Sequence, residues 1–145
     1  MLAFNKARVK FYPYNEVYLE APKKAINLPE GSPTKHQYVR LDSYVPNKEI
    51  VSRKYTQLSE VSEETAIRYL KELSDKYAPE TKIADVPSNI SGANAGIFKE
   101  NRGRTLRGQM ILEVPVQAKA IPKRVIDYAN KHYIKVRDIN GKIYN

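Results

Sequence analysis

The sequence predicts an α/β domain, or one of α+β type, in which helices pack on a mixed β-sheet. Three observations carry that expectation. Residues 36–57 hold two stretches of strand-like alternation joined by a Pro-Asn-Lys turn. Residues 62–77 and 122–132 place apolar side chains at helical spacing between clear start and stop signals. A short apolar run at 110–114 (MILEV) lies between those two helices, so strands and helices alternate along the chain. At 145 residues, one domain is the expectation.

Residues 1–34 carry Pro13, Pro22, Pro29 and Pro33 and end in a Pro-Glu-Gly-Ser-Pro cluster. They read as an irregular lead-in or linker with one short strand at 17–19, and the folded domain is expected over 35–145. In the next stretch Tyr38, Arg40, Asp42 and Tyr44 share one strand face, with Val39, Leu41 and Val45 on the other. Residues 49–57 form the second strand. A hairpin centred on Asn47 sets Asp42 opposite Ser52 and Arg40 opposite Lys54, so one sheet face presents all four. Ser62 is a good helix N-cap, followed by Glu63 and Glu64 in the first turn. Ala66, Leu70, Leu73 and Tyr77 follow at helical spacing, and Pro79 marks the stop. Residues 85–105, rich in Gly, Asn and Ser, read as a long surface loop with a basic end. Residues 106–117 read as a buried strand closed by Pro115, and Pro122 suits the first position of a second helix. Asn140-Gly141 signals a closing hairpin between 133–139 and 142–144.

Charge narrows the function classes. Lys and Arg number 25 against 16 acids, a net of +9 with a pI near 9.6. The excess is uneven: residues 60–85 hold four bases against seven acids, whereas 114–145 hold seven bases against two. This balance favours a polyanionic partner, either nucleic acid or an anionic surface. The absence of cysteine excludes a disulfide scaffold, a thiolate zinc site and a cysteine nucleophile. Two histidines, His36 and His132, exclude a multi-histidine metal site. No apolar run reaches transmembrane length and the first residues do not read as a signal peptide, so no membrane partner is expected.

An aspartate on one strand beside a lysine on its hairpin neighbour suits metal-assisted phosphodiester cleavage. The Asp42 carboxylate would hold a hard cation such as Mg²⁺, while Lys54 orients water and stabilises charge on the phosphate. The same spacing also describes an exposed checkerboard of cross-strand ion pairs. His36 is a candidate general acid or base for a metal-independent ribonuclease. Gln57 is a candidate for contacting a phosphate or a water. Lys99, Arg102, Arg104 and Arg107, spaced along the Gly/Asn segment, fit a clamp on a nucleic-acid backbone, with Arg40 and Arg53 as further contacts. Eleven tyrosines permit base stacking, although no exposed cluster can be located from the sequence.

The stretch from RLDSYVPNKEIVSRKYTQLSEV through MILEVPVQ to VRDINGKIY resembles the C-terminal effector domains of bacterial polymorphic, contact-dependent toxins. The likeness covers residues 36–145. Many such domains are nucleases, and the Asp-then-Lys hairpin is similar to the restriction-endonuclease-like, PD-(D/E)XK, pattern. That resemblance implies Asp42 as the first acid, Lys54 as the lysine and a divalent cation, and it implies a restriction-endonuclease-like sheet. The second acid of the pattern is absent, because Ser52 stands in its place. Glu49 faces the other way by strand period, and Glu113 on the later strand is the substitute metal ligand if that strand adjoins the hairpin. The resemblance further implies delivery as the C-terminal part of a larger secreted effector, action in the target-cell cytoplasm and an acidic cognate immunity protein. Two other readings stay open. Arg40, Ser52 and Glu113 loosely resemble the Arg–Ser–Glu arrangement of ADP-ribosyltransferase toxins. A non-catalytic basic domain gripping nucleic acid would carry the same charge.

Overall fold

The computed structural model describes residues 2–22 and 37–145. The order is α1 (Leu2–Val9), β1 (Tyr14–Glu20), β2 (Tyr38–Val45), β3 (Glu49–Arg53) and α2 (Glu63–Lys76). There follow two one-turn helices, α3 (Pro87–Ile90) and α4 (Ile97–Glu100), then β4 (Gln109–Val114), α5 (Lys123–Lys131) and β5 (Ile134–Asp138). The five strands form one mixed sheet in the order β1-β2-β3-β4-β5. The first three make an antiparallel meander, and β3, β4 and β5 run parallel. The chain is therefore of the α/β class expected, a mixed sheet with helices packed on it.

The local signals explain most elements. The Ser62 hydroxyl accepts a hydrogen bond from the Thr65 amide at 3.1 Å, capping α2 where Glu63 and Glu64 complement the helix dipole. Ala66, Leu70 and Leu73 of α2 and Val125 and Ala129 of α5 bury one stripe each against the sheet. They meet Ile50 of β3, Met110, Leu112 and Val114 of β4, and Ile134 and Val136 of β5 in the main core. Pro122 is the N-cap of α5, one residue earlier than the first helical position expected. The Asn140-Gly141 signal produces a turn whose following segment returns antiparallel along β5, with an Arg137–Ile143 bridge and backbone hydrogen bonds from Asp138 to Lys142 and from Tyr144 to Val136. There Asp138 accepts from the Asn140 and Lys142 amides and the Tyr144 hydroxyl.

Residues 1–34 are not the irregular lead-in expected, as far as they are described: they supply α1 and the edge strand β1. Pro13 and Pro22 bracket that strand without interrupting it. Glu16 has a positive φ of 50°, and this kink breaks the two-residue period. Tyr14, Val17 and Leu19 consequently all point into the core, a spacing that alternation does not reveal.

Residues 85–105 are likewise more ordered than a surface loop. Asparagine side chains stand in for missing backbone partners. Asn89 exchanges hydrogen bonds with the Tyr18 backbone, Asn94 with that of Asn15, and Asn101 donates to the carbonyls of Gly103 and Thr105. All three asparagines are buried.

Gly108 admits β4 to the sheet. Its φ is +132°, and a Cβ there would lie 2.4 Å from the Lys48 carbonyl carbon, while the next amide donates to the Lys48 oxygen at 2.9 Å. Gly108→Ala is expected to cost at least about 2 kcal/mol, through backbone strain and the displaced Lys48 contact. Urea unfolding checks this, and a cost below about 0.5 kcal/mol contradicts the close approach.

Candidate active site

The hairpin register is the one centred on Asn47: Ser43 pairs with Val51, Tyr44 with Ile50 and Val45 with Glu49. One step further, the ladder gives way to a side chain. The Arg53 amide donates to Asp42 Oδ2 at 2.7 Å, so the carboxylate is held where β2 parts from β3. Among the described residues, the other oxygen, Oδ1, has no hydrogen-bond partner. Lys54 immediately follows β3, its amide donating to the Glu113 carbonyl at 3.0 Å. Its ammonium lies 3.5 Å from Glu72 Oε1 and 5.1 Å over the Tyr69 ring, both on α2.

Asp42, Lys54 and Glu72 thus share one electrostatic neighbourhood at the carboxyl end of β3. Burial pushes the Asp42 carboxyl above its ordinary value, and the Glu72 charge adds to that. The Arg53 amide and the charges of Arg53 and Lys54 pull the other way without cancelling it. Burial likewise raises the nearby Tyr77 hydroxyl, with Glu72 and Asp42 reinforcing the rise. Glu72 was invisible as a site residue, because a helix-borne acid beside an apolar stripe has the same sequence appearance as a solvated one. Its one signal is position: it directly precedes the buried Leu73.

Glu113 does not join this group. It pairs in register with Arg53, so the two side chains share a face, and Lys54, one residue on, takes the opposite face. β4 does adjoin the hairpin as the substitution required, but the register puts the sheet between Glu113 and Asp42. On its own side Glu113 is 0% exposed. It accepts from Arg53 Nε at 2.7 Å, from Arg8 Nε and Nη2 at 3.2 and 3.3 Å, and from the Tyr12 hydroxyl. Arg53 also donates to Ser43 at 2.7 Å and to Asn5 at 3.2 Å, and Arg137 bridges Tyr12 to Glu49. Burial alone would raise the Glu113 carboxyl, but the hydrogen bonds from Arg8, Tyr12 and Arg53 hold it below its ordinary value. This network seats α1 on the sheet.

Other expected site residues divide similarly. Arg53, 1% exposed and bonded throughout, is not available to nucleic acid, because strand period turns it under α1. Ser52 is buried at 2%. The Gln57 amide is occupied: it donates to the Val116 carbonyl and accepts from the Ala118 amide, bracing the exits of β3 and β4 together with Gln117. Arg40 is exposed, 4.0 Å from Glu16. Arg40, Ser52 and Glu113 therefore do not converge, contrary to an ADP-ribosyltransferase arrangement. His36 lies outside the described residues.

Lys99, Arg102, Arg104 and Arg107 are all exposed, as a clamp requires. Arg102 and Arg107 lie together at the other end of β3, where the Arg102 amide donates to Asn47 of the β2–β3 turn and Arg107 Nε to the Arg102 carbonyl. Lys99 is next to Glu100, whose carbonyl accepts from Asn47. Arg104 instead pairs with Asp85 at 3.8 Å over the Phe98 ring. The length of β3 separates Arg102 and Arg107 from Lys54, roughly 15–20 Å at the usual strand rise. Among the described residues, no three His, Cys, Asp or Glu side chains group to hold a metal, and no helix is long and apolar enough to cross a membrane. In comparisons with known proteins, the chain matches no family model, no curated protein and no solved structure.

Proposed function

We propose that this chain is a nuclease that hydrolyses phosphodiester bonds at the Asp42–Lys54–Glu72 cluster. The observation that carries the reading is the juxtaposition of a hydrogen-bonded, pKa-raised carboxylate with an ammonium at the carboxyl ends of parallel strands. The Lys54 ammonium is suited to bind a non-bridging phosphate oxygen and to offset charge as it develops there. Asp42, with one oxygen fixed by a backbone amide, offers the other to the reacting water. The +9 field draws the polyanion in, and the exposed basic loop supplies a second backbone contact about one strand length away.

The two carboxylates of this cluster, Asp42 and Glu72, which sense each other's charge, are a donor set suited to Mg²⁺. Asp42 and Glu72 would hold it, since Mg²⁺ is commonly bound by one or two carboxylates plus substrate phosphates, with Lys54 turning from Glu72 to the phosphate. Once bound, it would supply an activated water and neutralise phosphate charge. The sheet class and the Asp-then-Lys hairpin also support the restriction-endonuclease-like reading, with the chain as the toxic part of a larger secreted effector. In that setting an acidic immunity protein is the expected partner and the target-cell cytoplasm the site of action.

The test is incubation of purified protein with plasmid DNA, single-stranded DNA and total RNA, with Mg²⁺ or with EDTA. Cleavage of one substrate class, lost in EDTA and restored by excess Mg²⁺, is the expected result. Cleavage that persists in EDTA removes the metal and leaves Asp42 and Lys54 as a metal-independent pair. No cleavage of any substrate with any divalent cation overturns the nuclease reading.

A further inference from the structure

Directly after Lys54, the chain turns tightly, the Thr56 amide donating to the Lys54 carbonyl at 3.0 Å, and Tyr55 is thrown outward. Tyr55 is 63% exposed. The ring is nevertheless held from behind: Phe4 of α1 stacks on it with centroids 5.1 Å apart and planes 29° from parallel. Beside it opens a cleft of about 290 Å³ lined by Tyr55, Thr56, Gln57, Glu60 and Pro115. The Gln57 amide is occupied by backbone groups, and the only charged side chain lining the cleft is acidic, Glu60. A carboxylate repels phosphate but accepts hydrogen bonds from base amino and imino groups. The cleft thus offers an aromatic face and an acceptor, suited to a flat group with donors on its edge. It opens on the α1 side of the sheet end, with the Lys54 ammonium round that end on the α2 side.

We propose that Tyr55, backed by Phe4, is a stacking platform for one unpaired nucleobase, and that the substrate is single-stranded nucleic acid. The assignment rests on the nuclease reading for the adjacent Lys54 but makes a separate claim, about binding. A base in a duplex has both faces covered by its neighbours, so only an unstacked strand can lay a base on Tyr55. The strand would then pass round the carboxyl end of β3, bringing a neighbouring phosphate to Lys54 on the α2 side.

Fluorescence anisotropy with short labelled oligonucleotides tests this, using the Asp42→Asn protein so that binding is read without cleavage. Single-stranded RNA or DNA is expected to bind about tenfold more tightly than the duplex of the same sequence. Tyr55→Ala in that background is expected to weaken single-strand binding about tenfold and leave duplex binding unchanged, while Tyr55→Trp and Tyr55→Phe retain it. Retention by Trp and Phe shows that the aromatic face matters, and unchanged duplex binding by the Ala protein shows that it has kept its fold. Equal affinities for strand and duplex, or a Tyr55→Ala protein that binds single strands as well as its parent, overturns the platform. A parent protein that cleaves nothing but shows Tyr55-dependent strand binding sinks the nuclease reading alone. Cleavage by the parent with Tyr55-independent binding sinks the platform alone.

Discussion

Glu113→Ala is expected to destabilise the fold by about 3–5 kcal/mol, a large share of the roughly 5–15 kcal/mol typical of a natural domain. The reason is what remains behind. Arg53 is 1% exposed and would stay buried next to an empty site, with Arg8 and Tyr12 also losing their acceptor. An unpaired buried guanidinium costs far more than the pair contributes. The double variant Arg53→Met/Glu113→Leu removes both charges and is expected to be more stable than either single variant. Urea midpoints with matched m-values measure all three. A Glu113→Ala cost below about 1 kcal/mol contradicts the network as drawn.

The same carboxylate sets an acid limit. Its folded pKa lies below the ordinary 4.5, so its stabilising contribution is fully present above that value. The contribution disappears as pH falls through the lower folded value, where protonation removes the acceptor of three donors. Acid unfolding of the parent is therefore expected to be steeper than that of the double variant.

Asp42→Asn and Lys54→Ala are each expected to lower cleavage by at least about a hundredfold. Their effects on stability should run differently. The Asp42 carboxyl is raised in the folded protein, so at neutral pH its ionisation opposes folding, and that penalty is relieved as pH falls through the folded value. Asparagine keeps an oxygen for the Arg53 amide and carries no charge. Asp42→Asn should consequently fold as stably as its parent or more so, while losing activity, the trade that marks a functional group. Lys54→Ala removes the cation that sits 3.5 Å from Glu72 and stabilises the ionised Asp42. Any residual activity of that variant should show its acidic limb moved to higher pH, a change that mere loss of packing would not produce. A folded Asp42→Asn protein with parental activity removes this carboxylate from the reaction.

The architecture was legible where the code is local. The Ser62 cap, the apolar stripe of α2 and the β4 run each announce themselves within a few residues. Residues 1–34 look irregular in sequence because proline clusters punctuate strands as well as linkers, and because the Glu16 kink hides the period of β1. With the first residues set aside, Arg8, Tyr12 and the α1 seat were out of view, and so was Phe4 behind Tyr55.

By itself, the sequence determined the Asn47-centred hairpin and hence the approach of Asp42 to Lys54, since a short turn sets antiparallel register locally. Only the tertiary structure decided where Glu113 points. Its strand pairs with β3 in parallel across the long excursion from Arg53 to Gln109, whose register no turn encodes. Side chains alternate with a period of two, so one residue of register is the difference between a ligand beside Asp42 and a buried anchor for Arg53.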